Sequence, residues 1–197
     1  GLICHILEMP EADGMHLLRW SHALSRSLDP DATAAHQEGG LFAVAALADY
    51  FTKFIDDRRR HPRTGLMDDL IAACAQGQLS GAELLANSIL LFFAGHATSV
   101  GLIGNGLLAL LRHPPQHDLL RAEPERMATA VEEMIRYDGP AQLVPRTAMD
   151  DLTLDGQPIV RGERVMLCLA AANRDPARFP EPDRFDVQRR PNPHLGF

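Results

Sequence analysis

The segment LSGAELLANSILLFFAGHATSVGLIGNGLLALLRHPP, residues 79–115, constrains the fold of this chain more than any other. Ser80, with Glu83 three residues on, is a capping-box signature for a helix start. The helical pattern then runs to Leu111, some 30 residues or about 45 Å of helix. His113-Pro114-Pro115 ends it. A helix this long and apolar is either a membrane span or the axis of a core. Gly95, His96, Thr98 and Ser99 interrupt its apolar run.

Residues 84–111 are long enough to span a bilayer, and Gly101, Gly104 and Gly106 suit close helix packing. Asn87, Ser88, His96, Thr98, Ser99 and Asn105 are spread along the run. There is no basic cluster at the Glu83 end and no aromatic belt, so the pattern speaks against a span. A buried core helix explains the apolar residues. It leaves Gly95 unexplained, since Gly costs about 1 kcal/mol against Ala in a helix, and buried hydroxyls need partners. A helix passing over a bound group explains both: glycine permits close approach, and Thr98 offers a hydroxyl one turn on. The segment alone does not choose between these last two.

The rest of the chain is helical before this segment and mixed after it. Residues 1–9 form the end of a helix that Pro10 breaks. Residues 12–27 and 40–60 are helical, the second closing on arginines and His61-Pro62. Residues 66–75 form a short helix. Pro124 opens another that Gly139-Pro140 ends. LTLDGQPIV places two β segments around Asp155-Gly156, a hairpin turn. ERVMLCLAAA is a further strand, and the chain from Asn173 on is a long ordered loop. The fold class is mainly α with a small β element: helices over about 1–138, then hairpin and loop over about 141–197. The HPPQH stretch reads as an exposed loop, which makes His113 and His117 a poor metal pair.

Composition excludes several functions. The net charge is −7, and of 19 basic residues only Lys53 is a lysine, so no nucleic-acid-binding surface is indicated. Three scattered cysteines, Cys4, Cys74 and Cys168, form no CxxC pair and suit a reducing, cytoplasmic setting. No secretory signal opens the chain. Glu133 and Arg136 share a helix face. Taken alone they are an exposed pair worth a few tenths of a kcal/mol.

The order of segments carries more than any one of them. AGHATS, EEMIR, VPRTA, AANRDPARFPEPDRF and NPHLGF, in that order and spacing, resemble the cytochrome P450 family, specifically its soluble bacterial members. The resemblance covers essentially all 197 residues. It implies an incomplete P450 fold built around the long helix and a haem-thiolate monooxygenase. The cofactor it implies is haem b, iron protoporphyrin IX. The partners it implies are O2, an apolar small-molecule substrate and a ferredoxin- or flavodoxin-type electron donor, with no nucleic acid or membrane expected. By that match Ala94 and Gly95 approach the haem, Thr98 supports proton delivery to dioxygen, and Arg146 binds a haem propionate. Leu90, Phe93, Leu143 and Val144 face the substrate. Glu133, Arg136 and Arg184 form a structural charge network, and His96 points away from the iron as a packed histidine.

Two departures accompany the match. Ala97 stands where the family has an Asp or Glu that relays protons with the threonine. This leaves a catalytically altered or non-catalytic protein as the alternative. The family's F-G-x-G-x-H-x-C loop would begin at Phe197, so the axial cysteine is expected beyond it and none of the three cysteines replaces it. No W-x-x-x-R segment is present, since Trp20 opens WSHALS. The chain is expected to be an internal fragment, inactive alone.

Overall fold

The computed structural model describes residues 2–29 and 31–196. They fall into two compact units, Gly1–Ala97 and Thr98–Phe197.

The first unit is helical. It holds α1 (Leu2–Ile6), α2 (Gly14–Leu28), α3 (Ala34–Arg60), α4 (Leu66–Ala75) and the first part of α5 (Gly81–Arg112). Helix α3 starts six residues before the expected position because Thr33 and His36 cap it reciprocally. Helix α4 has the expected bounds. At the start of α5 the Ser80 hydroxyl accepts from Glu83 N, and Ser80 N donates to the Glu83 carboxylate. Those bonds from Ser80, backbone first, hold the Glu83 carboxyl below its usual range. Leu7, Leu17, Leu47, Phe51, Ile55, Met67, Leu84 and Phe92 form one buried apolar cluster. The four-residue spacing of Leu47, Phe51 and Ile55 on α3 is that of a core-facing helix stripe.

A charge cluster closes this unit. Arg58 is 2% exposed and donates from Nη2 to Glu8 at 2.7 Å and to Asp68. Asp68 also accepts from Arg63 N. The bond from Arg58 holds the Asp68 carboxyl below its usual value. Burial alone would lower Arg58; Asp68 and Glu8 outweigh it and raise it.

The second unit holds the rest of α5, α6 (Pro114–Ala122), α7 (Met127–Asp138), α8 (Leu169–Ala172) and four strands, with a 3-10 turn over Pro124–Arg126 ahead of α7. Strand β1 (Leu143–Thr147) pairs antiparallel with β4 (Arg164–Cys168), and β2 (Leu152–Leu154) with β3 (Gln157–Ile159). The β2–β3 turn has Asp155 and Gly156 at positive φ, 48° and 79°, the conformation that the Asp-Gly dipeptide favours. The HPPQH loop expected from the prolines is instead the start of α6. Both prolines sit in its first turn, where no intrahelical N–H bond is lost. His113 stands ahead of it, its Nδ1 against Ala109 O and its ring against Tyr137 and Phe185. Phe185 and Val187, from the long loop, complete a core with Ala109, Leu120 and Ala130.

The three arginines Arg58, Arg59 and Arg60 are alike in sequence and unlike in place. Arg58→Met strands two carboxylates and lowers unfolding free energy by about 3 kcal/mol. Arg59→Ala, at an exposed position, changes it by no more than about 0.5 kcal/mol. Urea unfolding of the two variants measures the difference. Because the folded-state Asp68 carboxyl is depressed, its contribution is present above the unfolded carboxylate value. It is lost as pH falls below that value through the folded one. Asp68→Asn therefore flattens the acid side of the stability–pH curve.

Candidate functional site

The expected site residues lie on both units. On the first, Leu90, Phe93, Ala94, Gly95, His96 and Ala97 follow one another along α5. Leu90 is exposed and Phe93 half-buried. A Cβ at Gly95 would lie 2.7 Å from Ile3 Cδ1, so the space that this glycine leaves is used by α1. His96 stacks on Phe92 at 6.2 Å and 9°. Burial, with His22 nearby, pushes its imidazole below the usual value. It is a packed histidine.

On the second unit, Thr98 lies on the helical stripe that one and two turns on carries Leu102 and Asn105, and Asn105 Nδ2 donates to Asp138 O at 2.9 Å, at the end of α7. Leu143, Val144 and Arg146 follow one another on β1, opposite Cys168, Leu167 and Val165. Leu143 is 45% exposed and Val144 half-buried. Arg146 is exposed and donates from Nη1 to Pro145 O. Among the described residues no carboxylate pairs with it. An outward guanidinium of that kind suits the carboxylate of a bound group. Cys4 is buried on α1, Cys74 half-buried on α4, and Cys168 exposed at the end of β4.

The charge network is the most complete piece of geometry. Glu133 and Arg136 have fully buried side chains. Arg136 donates from Nε to Glu133 Oε2 at 2.7 Å and from Nη2 to Oε1 at 2.9 Å, a bidentate pair. Its remaining hydrogens go to the carbonyls of Asn173, Pro182 and Arg184 at 2.8–3.1 Å. All five guanidinium donors are used. The guanidinium also lies over the Phe179 ring at 5.4 Å. Glu133 accepts in addition from Asp186 N, Arg189 Nε and Asn192 Nδ2. The exposed surface pair that spacing alone suggests is thus a buried one.

One member of the expected network is corrected. Arg184 contributes its carbonyl, while its side chain is 55% exposed and pairs with Glu181 and Asp186. The second guanidinium on Glu133 is Arg189, 9% exposed, which also donates to the carbonyls of Pro180, Glu181 and Arg184. Arg184 and Arg189 both sit in a loop without helical or strand periodicity, so spacing carries no signal that separates them. Arg190, next to Arg189, turns instead to Thr129 Oγ1.

Residues 33–192 match the family described as cytochrome P450. The chain is 42% identical over 197 residues to the biotin biosynthesis cytochrome P450 of Bacillus subtilis, covering all of this chain and 50% of that protein. Among solved structures it is similar to Mycobacterium smegmatis CYP164A2 with econazole bound. That match has a TM-score of 0.93 and 41% identity, over 100% of this chain and 50% of the other. It is also similar to P450BioI in complex with a hexadec-9Z-enoic acid-ligated acyl carrier protein. There the TM-score is 0.88 and the identity 42%, over 98% and 50%. The chain belongs to the cytochrome P450 family, and it spans about half the length of the relatives it matches.

The two arginines separate by experiment. Arg189→Ala removes a buried partner of Glu133 and costs about 3 kcal/mol of unfolding free energy. Arg184→Ala keeps the backbone carbonyl and costs no more than about 0.5 kcal/mol. Equal losses in chemical denaturation would contradict the assignment.

Proposed function

We propose that this chain is part of a haem-thiolate monooxygenase, the 197 residues being one incomplete domain of it. The observation that supports this most is the fully buried Glu133–Arg136 pair, met from the following loop by Arg189 and Asn192, in a chain of this family. Haem b, held by a cysteine thiolate, supplies the activation of O2 by which one oxygen atom enters a substrate C–H bond. The other leaves as water, with two electrons and two protons consumed. The thiolate comes from the residues that follow Phe197. The electrons come from a ferredoxin- or flavodoxin-type donor, and the setting is cytoplasmic.

The chain's own side chains suit that group. Arg146, outward on β1 without a carboxylate partner among the described residues, binds a propionate bidentately. Leu90 and Phe93 on the first unit, and Leu143 and Val144 on the second, are the apolar residues assigned to the substrate. An apolar small molecule is the substrate class; the similar P450BioI is seen in complex with a hexadec-9Z-enoic acid-ligated acyl carrier protein. Thr98 holds the hydroxyl proton where dioxygen is used, beside Ala94 and Gly95. Ala97 carries no acid, so the proton reaching Thr98 travels through water.

That alanine favours a second reading, a catalytically altered or non-catalytic member of the family. Spectra and turnover of the full-length protein decide between them. The monooxygenase reading expects a thiolate-type ferrous–CO absorption, faster haem loss in Arg146→Leu, and more product per electron pair consumed in Ala97→Glu. A full-length protein that takes up haem without the thiolate absorption supports the second reading. Coupling that falls or stays level in Ala97→Glu overturns the role given to Ala97.

A further inference from the structure

Two consecutive backbone N–H groups near the end of the described chain are held by side chains. Leu195 N donates to Asn173 Oδ1 at 2.8 Å, and Gly196 N donates to His194 Nδ1 at 3.2 Å. Both acceptors are themselves anchored. Asn173 is 3% exposed, and its own carbonyl accepts from Arg136 Nη1 at 2.9 Å. A single residue thus joins the buried charge pair to the Leu195 amide. The His194 side chain is 7% exposed, and its Nε2 lies 2.7 Å from Glu132 Oε2. An accepting Nδ1 leaves the ring hydrogen on Nε2, pointing at that carboxylate. Glu132 therefore fixes the tautomer that lets His194 accept from Gly196.

Packing agrees with the hydrogen bonds. A Cβ at Gly196 would lie 2.3 Å from Ile135 Cγ2 and 3.3 Å from Ile135 O. The chain is pressed onto α7 at the point where the two amides are held. Glu132 and Glu133, neighbours on α7, divide the work. Glu133 turns inward to Arg136 and Arg189, and Glu132 holds His194 from the exposed side.

We propose that Glu132, His194 and Asn173 are positioning residues that clamp the chain at Leu195–Gly196 and set the direction in which it leaves. They thereby deliver the residues after Phe197 to the haem. This last clause rests on the function proposed above; the clamp itself does not.

The test uses the full-length protein and two readouts, amide hydrogen exchange at Leu195 and Gly196 and the thiolate-type ferrous–CO absorption. Asn173→Ala speeds exchange at Leu195 by about fivefold, the weight of one net hydrogen bond. Asn173→Asp, which keeps the accepting oxygen, restores protection. His194→Gln keeps a donor for Glu132 and exposes Gly196, whereas His194→Asn keeps an acceptor near Nδ1 and protects it. Glu132→Ala, at an exposed position that folding tolerates, speeds exchange at Gly196. The fraction of thiolate-type absorption falls in Asn173→Ala and His194→Gln and recovers in Asn173→Asp. Unchanged exchange at Gly196 in Glu132→Ala, or no rescue by Asn173→Asp, overturns the clamp. Altered exchange with unaltered absorption overturns its role in delivering the haem ligand. A wild-type protein without thiolate absorption overturns the haem reading and leaves the clamp to be judged by exchange alone.

Discussion

A carboxylate and a guanidinium with no solvent exposure at all must be matched by the protein, hydrogen by hydrogen. Glu133 and Arg136 set this constraint on the second unit. Two of the five Arg136 donors can be met by Glu133; the other three need carbonyls, and the chain supplies them from Asn173, Pro182 and Arg184. Glu133 in turn takes the Asp186 amide, Arg189 and Asn192. Among the described residues the stretch after α8 contains no further helix or strand. Its order comes from the pair on α7 rather than from a backbone ladder of its own. The dependence is mutual, because without those carbonyls and donors the pair would be a buried and poorly satisfied charge.

The first unit shows what incomplete matching looks like. Arg58 is as buried as Arg136, but its two carboxylates both meet Nη2. Its Nε and Nη1 are buried without a hydrogen-bond partner among the described residues. A guanidinium held from one corner is fixed less firmly than one held on every side, and a buried unmet donor costs about 1–3 kcal/mol. The cluster still ties Glu8, which precedes α2, to the end of α3 and the start of α4.

Much of this was legible in the sequence wherever a local rule acts alone. The Ser80–Glu83 cap, the bounds of α4, the Asp155-Gly156 turn and the β4 strand follow from residue type and spacing. The readings that fail do so where two rules compete. Pro114-Pro115 ends α5 and equally opens α6, because proline is as suitable in a first turn as it is unsuitable inside a helix. The early start of α3 depends on a histidine completing the capping box in place of the usual Glu or Gln. Strand β1 has no alternating pattern of burial, and only its partner β4 reveals it. The choice of Arg189 over Arg184 is set by the path of an irregular loop, which no periodicity encodes. The motif located Glu133 and Arg136, while the identity of what surrounds them is a property of tertiary structure.

The same distinction sharpens the long helix. By length and composition α5 is able to cross a membrane, and its polar residues looked like the marks of a site. Most of them are spent on structure. Asn87 donates to Glu83 O, Ser88 to Leu84 O, and Asn105 to Asp138 O. His96 lies flat on Phe92, and Gly95 gives its space to Ile3. A helix whose interruptions are absorbed by intrahelical bonds and neighbouring side chains has few positions left for chemistry. The imidazole, the residue most suggestive in composition, has a packing role in the first unit. What the family resemblance assigns to oxygen chemistry narrows to the adjacent Ala97 and Thr98. One lacks the acid expected there and the other keeps its hydroxyl. In the monooxygenase proposed above, the open step is therefore the delivery of a proton to Thr98, since residue 97 carries no acid.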